Sequence, residues 1–171
     1  MGAYVLGVEW FRALLMRTPE LALPALVLGG MALALVAWGW RAEALGVGTS
    51  RMGFRLLGGL ALGAVLLLPA AVRAGAAPVL PAGLALAAVA ISIGEEVAFR
   101  GALYAALEEV GGAPVAVLGS TLLWTLAHAL SHPPAFLGAV AAAGLLLALW
   151  RWACKDLVGP VIAHVLADVT L

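Results

Sequence analysis

Residues 79–101 read VLPAGLALAAVAISIGEEVAFRG. The first fifteen, through Ile93, carry no charge, and then two adjacent glutamates and an arginine interrupt the run. The twelve residues after Arg100 add only Glu108 and Glu109, at their far end. A bilayer-spanning helix takes roughly 20 predominantly apolar residues, and this stretch supplies them. A carboxylate or guanidinium facing lipid at the centre of such a helix costs at least about 2 to 3 kcal/mol. Glu95, Glu96 and Arg100 must therefore face the inside of a bundle or a wet cavity.

The rest of the chain has the same character. Of its 171 residues 65% are hydrophobic and 11% charged, and the mean hydropathy is +1.13. A soluble domain is about half apolar and about a quarter charged. The length fits a single integral-membrane domain, residues 1–171, with the motif-bearing core in residues 80–171. Net charge is zero, and no basic tail or patch points to nucleic acid. The single lysine among nine basic residues, and the abundance of Ala, Leu, Gly and Val, suggest a GC-rich, prokaryotic genome. One cysteine, Cys154, forms no internal disulfide and belongs to no Cys/His cluster.

Six apolar stretches approach spanning length: residues 21–40, 56–72, 80–107, 115–130, 135–150 and 157–171. Charged or Gly/Pro-rich connections separate them at 41–55, 73–78, 108–114, 131–134 and 151–156. No strand alternation or repeat appears. The expected fold is an all-α, polytopic membrane helix bundle of about six transmembrane helices. Glu9, Arg12, Arg17 and Glu20 interrupt the first twenty residues, so no cleaved signal peptide is expected there. That segment reads instead as an N-terminal interfacial helix with Trp10 at headgroup level. Arg41, Arg51, Arg55, Arg151 and Lys155 fall on one side of the bundle, and Arg12, Arg17 and Arg73 on the other. The larger set favours the cytoplasm, which puts the N-terminus outside.

Most charges sit in connections. The exceptions are Glu95, Glu96, Arg100, His128, His164 and Asp168. An ionisable residue inside a membrane segment is by default a functional-site hypothesis. Glu96 and Arg100 are spaced i,i+4, acid first, so they can neutralise each other. Glu95 points about 100° away from Glu96 round the helix and is left without a local partner. Low-dielectric surroundings and the neighbouring Glu96 should raise its pKa, and a carboxylate so raised becomes a usable general base near neutral pH. His164 and Asp168 are also i,i+4, and Asp168 can fix the tilt and tautomer of His164. His128 has Trp124 one turn back on its own face. Gly94, Gly101, Gly119 and Gly138 are small residues that allow close helix approach.

Glu95-Glu96-x-x-Phe99-Arg100-Gly101, Trp124-x-x-x-His128 and His164-x-x-x-Asp168 occur in that order, each in an apolar helix. This series resembles the CPBP family, which comprises CAAX-type prenyl proteases and bacteriocin-processing membrane proteins. Its three motifs are EExxxR, [FY]xxxH and HxxxN or a variant. The resemblance implies a glutamate-dependent intramembrane peptidase acting on a membrane-associated peptide or protein, without a cofactor. By the same resemblance Glu95 would activate water with His128 as partner, and His164 and residue 168 would stabilise the oxyanion. Glu96 and Arg100 would organise the site. Two positions depart from the family pattern. Trp124 stands where Phe or Tyr is usual, and Asp168 stands where Asn donates. An ionised Asp cannot donate to an oxyanion. Asp168 can instead orient His164.

Two other functions fit the same residues. Glu, two His and Asp are plausible zinc ligands, although no HExxH is present. A non-catalytic role, such as a bacteriocin-immunity factor, a scaffold or a proton pathway, uses the same buried polar groups.

Overall fold

A computed structural model describes residues 1–72 and 80–170. Among these residues every regular element is helical. In chain order they are α1 (Gly2–Leu15), α2 (Pro19–Ala34), the short α3 (Ala42–Leu45), α4 (Met52–Val72), α5 (Ala82–Glu96), α6 (Tyr104–Ala127), α7 (Leu137–Cys154) and α8 (Val158–Thr170). A π-helical stretch, Val97–Leu103, carries α5 into α6 without a break. The connection expected at 73–78 lies outside the described residues.

The expected all-α membrane bundle is what the chain forms. Among the described residues three runs are long and apolar enough to cross a membrane: Pro19–Ala37, Ala82–Leu130 and Pro134–Cys154. Met52–Leu68 and Val158–Thr170 are shorter apolar helices. The longest run is folded in two at Gly111 and Gly112, where the turn expected at 108–114 falls. Gly112 has φ +70°, a left-handed conformation that a side chain would strain. Beyond it the chain doubles back: Leu107 lies against Gly119, and Tyr104 packs with Ala116 and Val117. Outer faces present Leu28, Leu57, Leu86 and Leu118, all exposed and suited to lipid.

Local sequence explains several boundaries. Pro19 opens α2, where a missing N–H costs nothing. Asp156 caps α8, accepting from the backbone N–H of Val158 and Gly159 at 3.0 and 2.9 Å. The same carboxylate takes the Trp150 indole N–H at 3.0 Å and lies 3.2 Å from Arg55.

Two readings of the sequence change here. The 151–156 stretch, expected as a polar connection, is mostly the end of α7; Trp152 and Lys155 are exposed, but its other charges, Arg151 and Asp156, are not. Arg151 is buried, donating to the carbonyls of Arg100 at 3.1 Å and Ala44 at 2.7 Å. α1 packs against the bundle, with charges turned inward that the sequence reading did not place there. Val5 joins a core with Leu33, Phe99, Leu103 and Trp124, and the Trp10 indole donates to the Leu126 carbonyl at 3.0 Å. Glu9 and Arg12 face inward and are buried, while Phe11 and Leu14 face outward. They can be buried because they form an ion pair with each other, i to i+3. Arg12 and Arg151 are therefore not loop charges, and the orientation count loses one residue from each side.

Candidate active site

The site starts at a helix crossing. α2 and α5 meet at Gly30 and Gly94 so closely that a Cβ on either would overlap backbone of the other helix. This contact sets the C-terminal end of α5 deep in the bundle, and with it the two glutamates. Glu95 is 3% exposed and Glu96 is fully buried. The π-helical turn begins at the next residue, and such turns recur at functional sites.

Glu96 faces the first of two polar clusters. Its Oε1 accepts from Arg100 at 2.7 Å and lies 2.9 Å from His164 Nδ1. The i,i+4 pairing of Glu96 with Arg100 is therefore present. Arg100 also donates to the Gly144 carbonyl at 3.2 Å, and its guanidinium sits 4.3 Å from the centroid of the Trp124 ring. Residue 144 has to be glycine, since a Cβ there would run into Trp124. Arg100 Nε and Glu96 Oε2 are buried with no partner among the described residues.

Glu95 faces the second cluster, built from four helices. Its Oε2 accepts the Trp124 indole N–H at 3.2 Å. His128 Nε2 stands 3.6 Å from that oxygen, and His164 Nε2 stands 3.8 Å from it. These separations exceed a direct hydrogen bond. On the other side, Glu95 Oε1 accepts from Arg12 at 3.2 Å. Glu95 therefore does have a cationic partner. It comes from α1, eighty-three positions away in sequence, so local helical geometry could not supply it.

Each histidine is oriented by its second nitrogen. His128 Nδ1 lies 2.8 Å from the Trp124 carbonyl. A carbonyl only accepts, so Nδ1 carries the proton, and Nε2 of the neutral ring offers a lone pair towards Glu95. His164 Nδ1 is held by Glu96, and its Nε2 faces Asp168 Oδ2 at 3.4 Å. Asp168 is half-buried, and its Oδ2 is 2.8 Å from Ser92 Oγ on α5. His132 stays in the loop after α6, its ring stacked on Phe136 and tilted against His128.

All six residues singled out from the sequence thus fall in two adjoining clusters joined by His164, and Glu95, His128 and His164 face one another in the second. The sequence reading missed Arg12 and Glu9, and it missed the use made of Ser92 and of the Trp124 N–H. One signal for the first pair was present: an acid and a base at i,i+3 on one face of an otherwise apolar segment. Trp124 turns out to be more than a substitute ring, because Phe has no N–H to give Glu95. Among the described residues no group of three or more His, Cys, Asp and Glu is arranged to hold a metal ion.

The sequence model of the family described as Type II CAAX prenyl endopeptidase Rce1-like matches residues 77–170. The matched stretch is more than half of the chain and carries Glu95, Glu96, Arg100, Trp124, His128, His164 and Asp168. α1, α2, α3 and α4 precede it. Comparison with curated proteins and with solved structures gives no match.

Proposed function

The chain belongs to the type II CAAX prenyl endopeptidase family, and we propose that it hydrolyses peptide bonds with a water activated by Glu95. At family level it is an integral-membrane, CAAX-type protease whose substrate is a membrane-associated peptide or protein. The glutamate mechanism and the individual roles are our own reading. The observation that carries it is the approach of His128 Nε2 and His164 Nε2 to one oxygen of a buried carboxylate, at 3.6 and 3.8 Å.

A water between Glu95 Oε2 and His128 Nε2 meets two acceptors. Its protons are directed to them, and its oxygen lone pair is left for the scissile carbonyl carbon. Glu95 takes one proton as the C–O bond forms, then returns it to the departing amine as the C–N bond breaks. No covalent intermediate is needed: Ser92 is fully buried, and its hydroxyl faces Asp168 and the Ala88 carbonyl rather than a histidine. His164 faces carboxylates from both ring nitrogens, an arrangement satisfied by a ring protonated on both. Its Nε2–H is then the donor for the oxyanion. Asp168, held by Ser92, orients His164 and does not replace the Asn amide. Glu96 and Arg100 lock the cluster to α7 and α8.

In this reading residues 1–171 act as one membrane domain, with the chemistry in residues 80–171, in a prokaryotic plasma membrane. No nucleic acid and no cofactor take part. The family description names a prenylated substrate; a leader peptide or a membrane-protein segment presents the same chemistry at the bond to be cut. Internally quenched peptides, one set lipidated at a C-terminal cysteine and one set not, presented in detergent or liposomes, test the proposal. Wild type should cleave members of at least one set, and Glu95→Gln and His128→Ala should not. Equal rates in all three would overturn it.

A further inference from the structure

We propose that Arg12, backed by Glu9, is a positioning residue for Glu95, so that α1 is part of the active site although it lies outside the family-matched region. The inference rests on the reading of Glu95 as the base. The terminal torsion of a glutamate is broad, so the plane of its carboxylate is fixed only by its partners. Here one oxygen is held by Arg12 at 3.2 Å, and the other is left to Trp124, His128 and His164. One guanidinium thus fixes the plane of the carboxylate and the direction in which its free oxygen meets the histidines.

Arg12 itself has little freedom. Its Nε donates to Glu9 Oε2 at 3.2 Å, and the NH2 nitrogen that meets Glu95 also donates to that Glu9 oxygen. Its NH1 nitrogen reaches Met16 Sδ at 3.3 Å. Its stem runs over Gly29 of α2, where a Cβ would collide with Arg12 Cδ. Glu9 is fully buried and Arg12 nearly so. A buried pair this well determined on a helix that otherwise packs by apolar contact needs a reason. Its charge supplies one, since a cation within about 4 to 6 Å favours the ionised form a base must have.

Every charged or titratable group around Glu95 enters that balance. α1 contributes Arg12 and Glu9, the end of α6 contributes His128, the loop after it contributes His132 against the His128 ring, and α8 contributes His164 and Asp168. Glu96 and Arg100 come from its own helix and the π-helical turn. Of the two arginines, only Arg12 donates to Glu95 directly.

The test uses the full-length protein in liposomes and a substrate-free readout. A hydrophobic carbodiimide labels protonated carboxyls, and peptide mass spectrometry over a pH series reports the labelled fraction of Glu95. The neutral double variant Glu9→Gln/Arg12→Met keeps the bulk of the pair and strands no charge. Arg12→Lys keeps the charge and loses the fork. In the double variant, labelling of Glu95 should persist to a pH higher by about 1 to 3 units. Arg12→Lys should restore most of the wild-type profile. With a cleavable quenched peptide, kcat of the double variant should fall about 10- to 100-fold with KM little changed. An unshifted labelling profile in a double variant that unfolds at the wild-type temperature overturns the inference. So does a wild-type kcat in that variant while Glu95→Gln is inactive, and in that case the glutamate reading still stands. Cleavage by Glu95→Gln would overturn both.

Discussion

Glu95 and Glu96 are neighbours in sequence, yet their carboxylates serve separate partners. Glu96 holds Arg100 and His164 Nδ1, whereas Glu95 faces Arg12, Trp124, His128 and His164 Nε2. His164 is the bridge between the two sets, one ring nitrogen on each. The fixed carboxylate thereby orients a ring that the reacting carboxylate uses.

The two glutamates should therefore fail differently. Glu96→Gln leaves Arg100 buried with a weakened partner. Removing one member of a buried pair costs about 3 to 5 kcal/mol, and the retained Gln oxygen should bring the loss to the low end of that range. Thermal unfolding in detergent should show a clearly lowered Tm, together with reduced cleavage. Glu95→Gln should unfold near the wild-type temperature and be inactive.

Trp124 has two separable functions, a ring under Arg100 and an N–H on Glu95. Trp124→Phe keeps the first and removes the second. Its Tm should lie near wild type while kcat falls about 10- to 100-fold, the effect of losing one hydrogen bond to a charged group worth about 1.5 to 3 kcal/mol. Trp124→Ala removes both and should cost about 3 to 5 kcal/mol of stability. Equal stability loss in the two variants would contradict this division.

The Gly30–Gly94 crossing places the glutamates through backbone contact. Gly94→Ala should push α5 away from α2 and cost at least about 1 to 3 kcal/mol, with cleavage lost in the fraction that remains folded. By contrast Asp156→Asn, at the α8 cap far along the chain from Glu95, should lower Tm while kcat of the folded protein is retained. A Gly94→Ala protein with wild-type kcat would remove the crossing from the account.

Buried guanidiniums stand on both carboxylates, Arg12 on Glu95 and Arg100 on Glu96. A divalent cation would have to displace or oppose them. Cleavage should accordingly be unchanged by chelators such as EDTA and phenanthroline, and elemental analysis of active protein should find less than one zinc per chain. Activity that is lost on chelation and restored by zinc would return the metal reading.

The helices were legible because a membrane span is written in composition, and a charge within one must face inward. That rule, with i,i+4 spacing, located Glu96–Arg100 and His164–Asp168 before any coordinates. It failed for Arg12, because the segment around it carries enough charge to resemble an interfacial helix. Whether Glu9 and Arg12 face lipid, water or each other depends on how α1 docks, and that is a long-range contact no local pattern records. Arg151 and Asp156 were missed for the converse reason. The sequence puts both in a connection, where charge is ordinarily solvated; Arg151 lies instead in the last turn of α7, and their burial follows from capping α8 and satisfying the carbonyls of Arg100 and Ala44. The π-helical turn at Val97–Leu103 left no mark in the sequence, since its apolar residues suit an α-helix equally well.

The most direct measurement is the rate of cleavage of a quenched, membrane-presented peptide by purified wild type and by Glu95→Gln, with thermal unfolding recorded on the same samples. Loss of the general base should reduce kcat by at least about 100- to 10,000-fold with Tm unchanged. A folded Glu95→Gln protein that cleaves at the wild-type rate would contradict the account.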